Sequence, residues 1–187
     1  MKLPEVFETE RLRLRQWCEL DREPFARLNA DPRVMEFYPS LLDRAASDKF
    51  QDRCHSLIVQ RGWGFWAVES QEKSEFIGFV GLHIPAHPMP FMPCVEVGWR
   101  LAAQYWGKGY ATEAAKIALN VGFELLDLKE IVSFTSLQNR RSRAVMARLG
   151  MIETDATFNH PALPEGHSLS QHCLYRITHE LWLTTEH

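Results

Sequence analysis

Apolar and basic residues alternate in Leu12-Arg13-Leu14-Arg15, behind an acidic Glu8-Thr9-Glu10 lead-in, and this period of two predicts a half-buried first strand. From Asp21 to Arg61 the pattern turns helical. Phe25, Leu28, Val34, Met35 and Phe37, then Phe50, Leu57 and Ile58 mark apolar faces, and Pro32 and Pro39 divide the stretch into shorter helices. Aromatic and β-branched runs return at Trp63–Val68 and Phe76–Leu82; the polar turn Ser70-Gln71-Glu72-Lys73-Ser74 between them predicts a hairpin. The proline-rich stretch from Pro85 to Pro93 is short and lies between strand-like runs, so it reads as a loop bordering a cleft. Val95–Leu101 predicts a fourth strand, Ala111–Leu126 an alanine-rich amphipathic helix and Ile131–Thr135 a fifth strand. Asn139 stands where an N-cap would and Gly150 where a helix-ending left-handed residue would, bracketing a helix from about Arg140 to Leu149. Leu174–Leu183 is a last strand candidate.

Composition narrows the function classes. A chain of 187 residues, 45% apolar and 24% charged, suits one globular domain spanning residues 1–187. With 21 basic against 24 acidic residues, a formal charge of -3, there is no overall field for nucleic acid or an anionic membrane. No apolar run approaches a signal peptide or a membrane span. Cys18, Cys54, Cys94 and Cys173 are scattered, which suggests reduced thiols and a cytoplasmic protein. His83, His87, His160, His167 and His172 lack cysteine or carboxylate partners at metal spacing, so no metal site is expected. Trp63, Trp66 and Trp99 read first as core residues and second as walls of an acceptor pocket.

The densest chemical signal is Gln104-Tyr105-Trp106-Gly107-Lys108-Gly109-Tyr110-Ala111-Thr112, two glycines at a strand-to-helix junction. Glycine lets a ligand approach the backbone, and the unpaired amides of a helix's first turn favour negative charge, so the loop suits a pyrophosphate. By itself such a loop is more often a plain glycine turn that caps a helix. It lacks the spacing of a dinucleotide fold or a P-loop.

The passage Val95–Leu101 through Gln104-x-x-Gly107-x-Gly109-Tyr110-Ala111-Thr112-Glu113-Ala114 resembles motif A of the GNAT N-acetyltransferase superfamily, in detail the RimJ/RimL branch. Asn139-Arg140-Arg141-Ser142, closed by Arg148-Leu149-Gly150-Met151, resembles the next motif, and Thr9–Arg15 and Asp31–Met35 fit the same branch. The resemblance implies an α+β fold: a mixed, mostly antiparallel sheet flanked by helices, with fourth and fifth strands splayed to admit the pantetheine arm of acetyl-CoA. It implies that Trp99, Arg100 and Leu101 hold the pantetheine and acetyl groups. Gln104, Trp106, Gly107, Lys108 and Gly109, with Tyr110, Ala111 and Thr112 at the helix start, would hold the pyrophosphate; Asn139 and Ser142 would face the sulfur end. Asn139 is equally an N-cap, and Arg140, Arg141 and Arg143 are either a solvated face or a steering patch for the 3′-phosphate.

The reaction implied is acetyl transfer from acetyl-CoA to a primary amine, the α-amine of a protein N-terminus or a small molecule; a non-catalytic acyl-CoA-binding module is the alternative. Glu96, the one acidic residue of its apolar strand, is the candidate base, against a structural strand glutamate. Relatives often carry a tyrosine acid where this chain has Met146; Ser142 is the nearest substitute and Tyr175 a distant one. Nothing in the sequence chooses between a monomer and a homodimer.

Overall fold

The computed structural model describes residues 4–185. In chain order these form β1 (Val6–Glu8), β2 (Leu12–Arg15), α1 (Arg22–Asn29), α2 (Arg44–Arg61), β3 (Phe65–Ser70), β4 (Glu75–His83), β5 (Glu96–Leu101), α3 (Tyr110–Asn120), β6 (Glu130–Ser136), α4 (Arg140–Arg148), β7 (Ile152–Asn159), β8 (Gln171–Thr178) and α5 (His179–Thr184). The strands make one eight-stranded sheet in the order β1-β2-β3-β4-β5-β6-β8-β7. Every neighbouring pair is antiparallel except β5 and β6.

The alternation at Leu12–Arg15 does what its period demands: Leu12 and Leu14 are fully buried, while Arg13 and Arg15 turn outward to Glu8, Glu69 and Asp21. The sheet buries both faces. Leu12, Leu14, Trp66, Val97 and Leu101 pack with Tyr110, Ala114, Ala118 and Met146 of α3 and α4 on one side. On the other, Ala67 and Phe79 pack with Trp17, Phe25, Leu28 and Cys54 of α1, α2 and the segment before them.

Several boundaries differ from the sequence reading. Val6–Glu8, three residues too short to carry a period, becomes a strand by pairing with Arg13–Arg15, so the splayed pair is the fifth and sixth strands instead of the fourth and fifth. Residues 30–43 form turns rather than helix, because Asp31 accepts the Arg33 amide and Asp43 caps α2 by accepting the Ala46 amide at 2.8 Å. Past Asn120 the α3 helix widens into a π-helical turn, Val121–Leu125. The last strand stops at Thr178, whose hydroxyl accepts the Leu181 amide and starts α5. β7 has an exposed, polar pattern that gave no strand signal; its hydrogen bonds to β8 define it.

Candidate active site

β5 and β6 run parallel and share a single registered pair, Glu96 with Val132. The Val132 amide donates to Val95 O at 2.9 Å and the Ser133 hydroxyl to Val97 O at 2.9 Å; beyond these bonds the strands diverge. The opening is flanked by the Gln104–Gly109 segment and the first turn of α3 on one strand's side and by Asn139 and α4 on the other's.

The glycine loop is shaped by two left-handed residues, Gly107 at φ +73° and Gly109 at φ +82°. A Cβ on Gly107 would meet no protein atom within 4 Å, so that edge is open. The loop is held from β2's side. Arg11 donates through Nη1 to Lys108 O at 3.0 Å and grips Glu113 of α3 through Nε and Nη2, while Thr9 donates to the same carboxylate. Sequence reading did not give Arg11 this role; its contacts lie 97 and 102 residues away. Asn139 caps α4, accepting the Ser142 amide at 3.1 Å, and its Nδ2 donates to Thr135 Oγ1 at 2.9 Å and Ser142 Oγ at 3.1 Å.

Between these elements lies a cavity of about 710 Å³, within the range of small-molecule sites. Of the residues singled out for the cofactor, Trp99, Arg100, Leu101, Trp106, Gly107, Gly109, Tyr110, Ala111, Thr112, Asn139 and Ser142 line it, brought together from β5, the loop, α3 and α4. Gln104 and Lys108 do not; Lys108 Nζ instead stands 5.5 Å from the Tyr105 ring centroid. The opposite wall comes from Val34, Phe37 and Tyr38, in the turns between α1 and α2, a contribution with no local signal beyond apolar spacing. Arg140 and Arg148 also line the cavity, and among the described residues neither makes an ion pair; Arg141 is held by Glu36 and the Trp106 ring.

Glu96 does not line this cavity. Its side chain is on the α1/α2 face, in a row with His83, and makes no hydrogen bond or ion pair among the described residues. It is only partly exposed, and this desolvation pushes its carboxyl up to about 8. Neighbouring His83 stacks on Phe65 and is pushed down to about 4, first by burial and then by Arg53 and Arg61. Tyr175 is outside the cavity as well: its hydroxyl donates to Glu153 at 2.8 Å, and burial raises its pKa. Met146 is a buried core residue. Trp66 and Trp63 serve the core, whereas Trp99 packs partly on the core and partly on the cavity.

Among the described residues, no group of three or more His, Cys, Asp or Glu is placed to hold a metal ion, and no helix is long and apolar enough to cross a membrane.

Known proteins share this fold. A family model described as an acetyltransferase (GNAT) domain matches residues 11–152. The FsC-acetyl coenzyme A-N(2)-transacetylase of Aspergillus fumigatus is 30% identical over 98% of this chain and 80% of its own length. A crystal structure of an acetyltransferase from Agrobacterium tumefaciens superposes with a TM-score of 0.73 at 29% identity, over 95% of each chain. The ribosomal-protein-S5-alanine acetyltransferase of Vibrio fischeri, at 20% identity and a TM-score of 0.74 over 95% of this chain and 98% of its own, shares the fold. With its mixed sheet, its parted parallel strands and this match, the chain belongs to the GNAT family of N-acetyltransferases, enzymes that use acetyl-CoA to acetylate an amine.

Proposed function

We propose that this chain takes acetyl-CoA into the cleft between β5, the glycine loop and α4 and transfers its acetyl group to an α-amine, that of a protein N-terminus or of a small molecule. The observation that carries this reading is the parting of β5 from β6 after one registered pair, which opens the sheet beside Trp99, Arg100 and Leu101 and in front of the first turn of α3. The amides from Gly107 to Thr112 face the pyrophosphate, Gly107 and Gly109 give it room, and Arg140 and Arg148 supply positive charge. Asn139 and Ser142 contact the end of the pantetheine arm.

In the reaction a C–N bond forms as the C–S bond breaks, one proton leaves nitrogen and the thiolate departs. Glu96 takes the proton through water, because its carboxyl leans toward the splayed end of β5 without lining the cavity. Ser142, which lines the cavity, is the nearest substitute by sequence for the tyrosine replaced by Met146, and the thiolate is a good enough leaving group that its help need not be large. Positioning supplies most of the acceleration.

The Aspergillus relative, an N(2)-transacetylase by name, favours a small-molecule α-amine. The Thr9–Arg15 and Asp31–Met35 segments support placement in the RimJ/RimL-like branch, and four unpaired cysteines support a cytoplasmic location. Thiol release from acetyl-CoA with matched peptides tests the reaction. An α-amine, with a pKa of about 8, should outpace a lysine amine at about 10.4, because more of it is neutral. Faster turnover on lysine reverses the acceptor assignment, and acetyl-CoA binding without thiol release on any amine leaves a binding module.

A further inference from the structure

Arg100 is a buried cation without an anion. Only 7% of the residue is exposed, yet it lines the cavity, and among the described residues no carboxylate reaches it. Among the described residues its side chain makes one hydrogen bond, Nη1 to Asn29 Oδ1, at 2.6 Å. Nε is buried with no partner, and Nη2 makes no hydrogen bond among the described residues. The guanidinium lies 4.0 Å from the Tyr38 ring centroid, with Phe79 at 5.3 Å and Phe50 at 5.4 Å. The neighbouring Cys54 thiol does not neutralise it, since burial pushes that group up to about 12.

Rings and one amide oxygen stabilise a guanidinium partly, but taking a full charge out of water is expensive unless an anion completes the site. The unused edge has a particular shape. Nε and Nη2 form the fork with which Arg33 grips Asp31, at 3.0 and 2.6 Å, and with which Arg11 grips Glu113. That fork matches the two oxygens of a carboxylate.

Arg100 belongs to the same strand segment as Trp99 and Leu101, where the acetyl group is proposed to sit, but its side chain points to the α1/α2 face, the side of Val34, Phe37 and Tyr38. We infer that Arg100 is the acceptor-recognition residue and that the acceptor is a short amino-carboxylate with an apolar body, an α-amino acid, whose carboxylate docks on the Nε–Nη2 edge while its amine faces the thioester. This rests on the proposed acetyl transfer and selects the small-molecule α-amine within it. Asn29 is a positioning residue that holds the opposite edge of the guanidinium.

The test compares free α-amino acids bearing apolar side chains with their carboxamides. On the wild-type chain kcat/KM, read by thiol release, should favour the acid at least about tenfold, because the amide leaves the buried cation unpaired. In Arg100→Gln that ratio should fall to near one, and Arg100→Lys, a point charge without the fork, should restore part of it. A second readout needs no turnover: with coenzyme A present, calorimetry should show N-acetyl-leucine binding at least about tenfold tighter than N-acetyl-leucinamide, and it stands even if Arg100→Gln does not fold. Equal handling of acid and amide overturns the inference while leaving acetyl transfer intact. An Arg100→Gln loss equal on both series also overturns it and puts Arg100 at the acetyl group or in the fold. Selective binding of the N-acetyl acid without thiol release on any amine sustains the carboxylate site and removes the transferase reading instead.

Discussion

The Oε1 atom of Glu96 lies 3.6 Å from the point a Cβ on Gly98 would occupy, so the carboxyl group leans along β5 toward the splayed end of the strand. It leans there because Gly98 has no side chain. The Phe65 ring crosses the vacant position, 3.1 Å from that same point, and registers through Gly81 with Gly98. Apolar ring and strand backbone thus displace part of the water around the carboxylate, and this desolvation is the cause of its raised pKa.

Because the Glu96 carboxyl ionises at about 8, turnover that depends on it should rise with pH and level off above that value. Glu96→Gln should lower kcat by a factor on the order of 10²–10⁴ and abolish the inflection, with acetyl-CoA affinity kept. An acceptor with a weakly basic amine moves its own titration away from this window. A variant with an unchanged pH profile would mean that Glu96 is structural.

The same group links pH to stability. Its folded pKa of about 8 exceeds the ordinary value of 4.5, so the folded state holds a proton that the unfolded chain releases. Its stabilising contribution is complete below 4.5 and drains away as pH rises through 8. Denaturant unfolding across that window should show a wild-type decline that is shallower in Glu96→Gln; identical slopes would contradict the buried-carboxyl account.

Gly107→Ala separates strain from ligand space. The left-handed φ of +73° should cost about 1–2 kcal/mol in denaturant unfolding, while the new Cβ meets no protein atom. Acetyl-CoA affinity should nevertheless fall by about tenfold or more, since the methyl projects where the pyrophosphate would approach. Unchanged affinity in calorimetry would remove the loop from the binding site.

Asn139 caps α4 and lines the cavity, and two substitutions distinguish these duties. Asn139→Asp keeps an oxygen for the Ser142 amide and should stay near wild-type stability, whereas Asn139→Ala should lose about 1 kcal/mol. Both remove the Nδ2 donor to Thr135 and Ser142, so both should weaken acetyl-CoA binding. Full affinity in Asn139→Asp would make the residue a cap alone.

What could be read from the chain is what depends on neighbours a few residues apart. The buried Leu12 and Leu14, the glycine turn at Gly107 and Gly109, the Asn139 cap and the Gly150 terminus follow from strand period, left-handed backbone and i-to-i+3 bonding. β1 and β7 escaped because a short or polar strand owes its existence to its partner, which no local pattern contains. Arg100 shows the limit most sharply. The motif resemblance places it only beside the pantetheine and acetyl groups, yet Asn29, 71 residues earlier, and the rings of Tyr38, Phe50 and Phe79 close over its side chain. Whether a strand residue meets water or a buried wall is set by which helices cover the sheet, and that is decided by long-range packing of both faces.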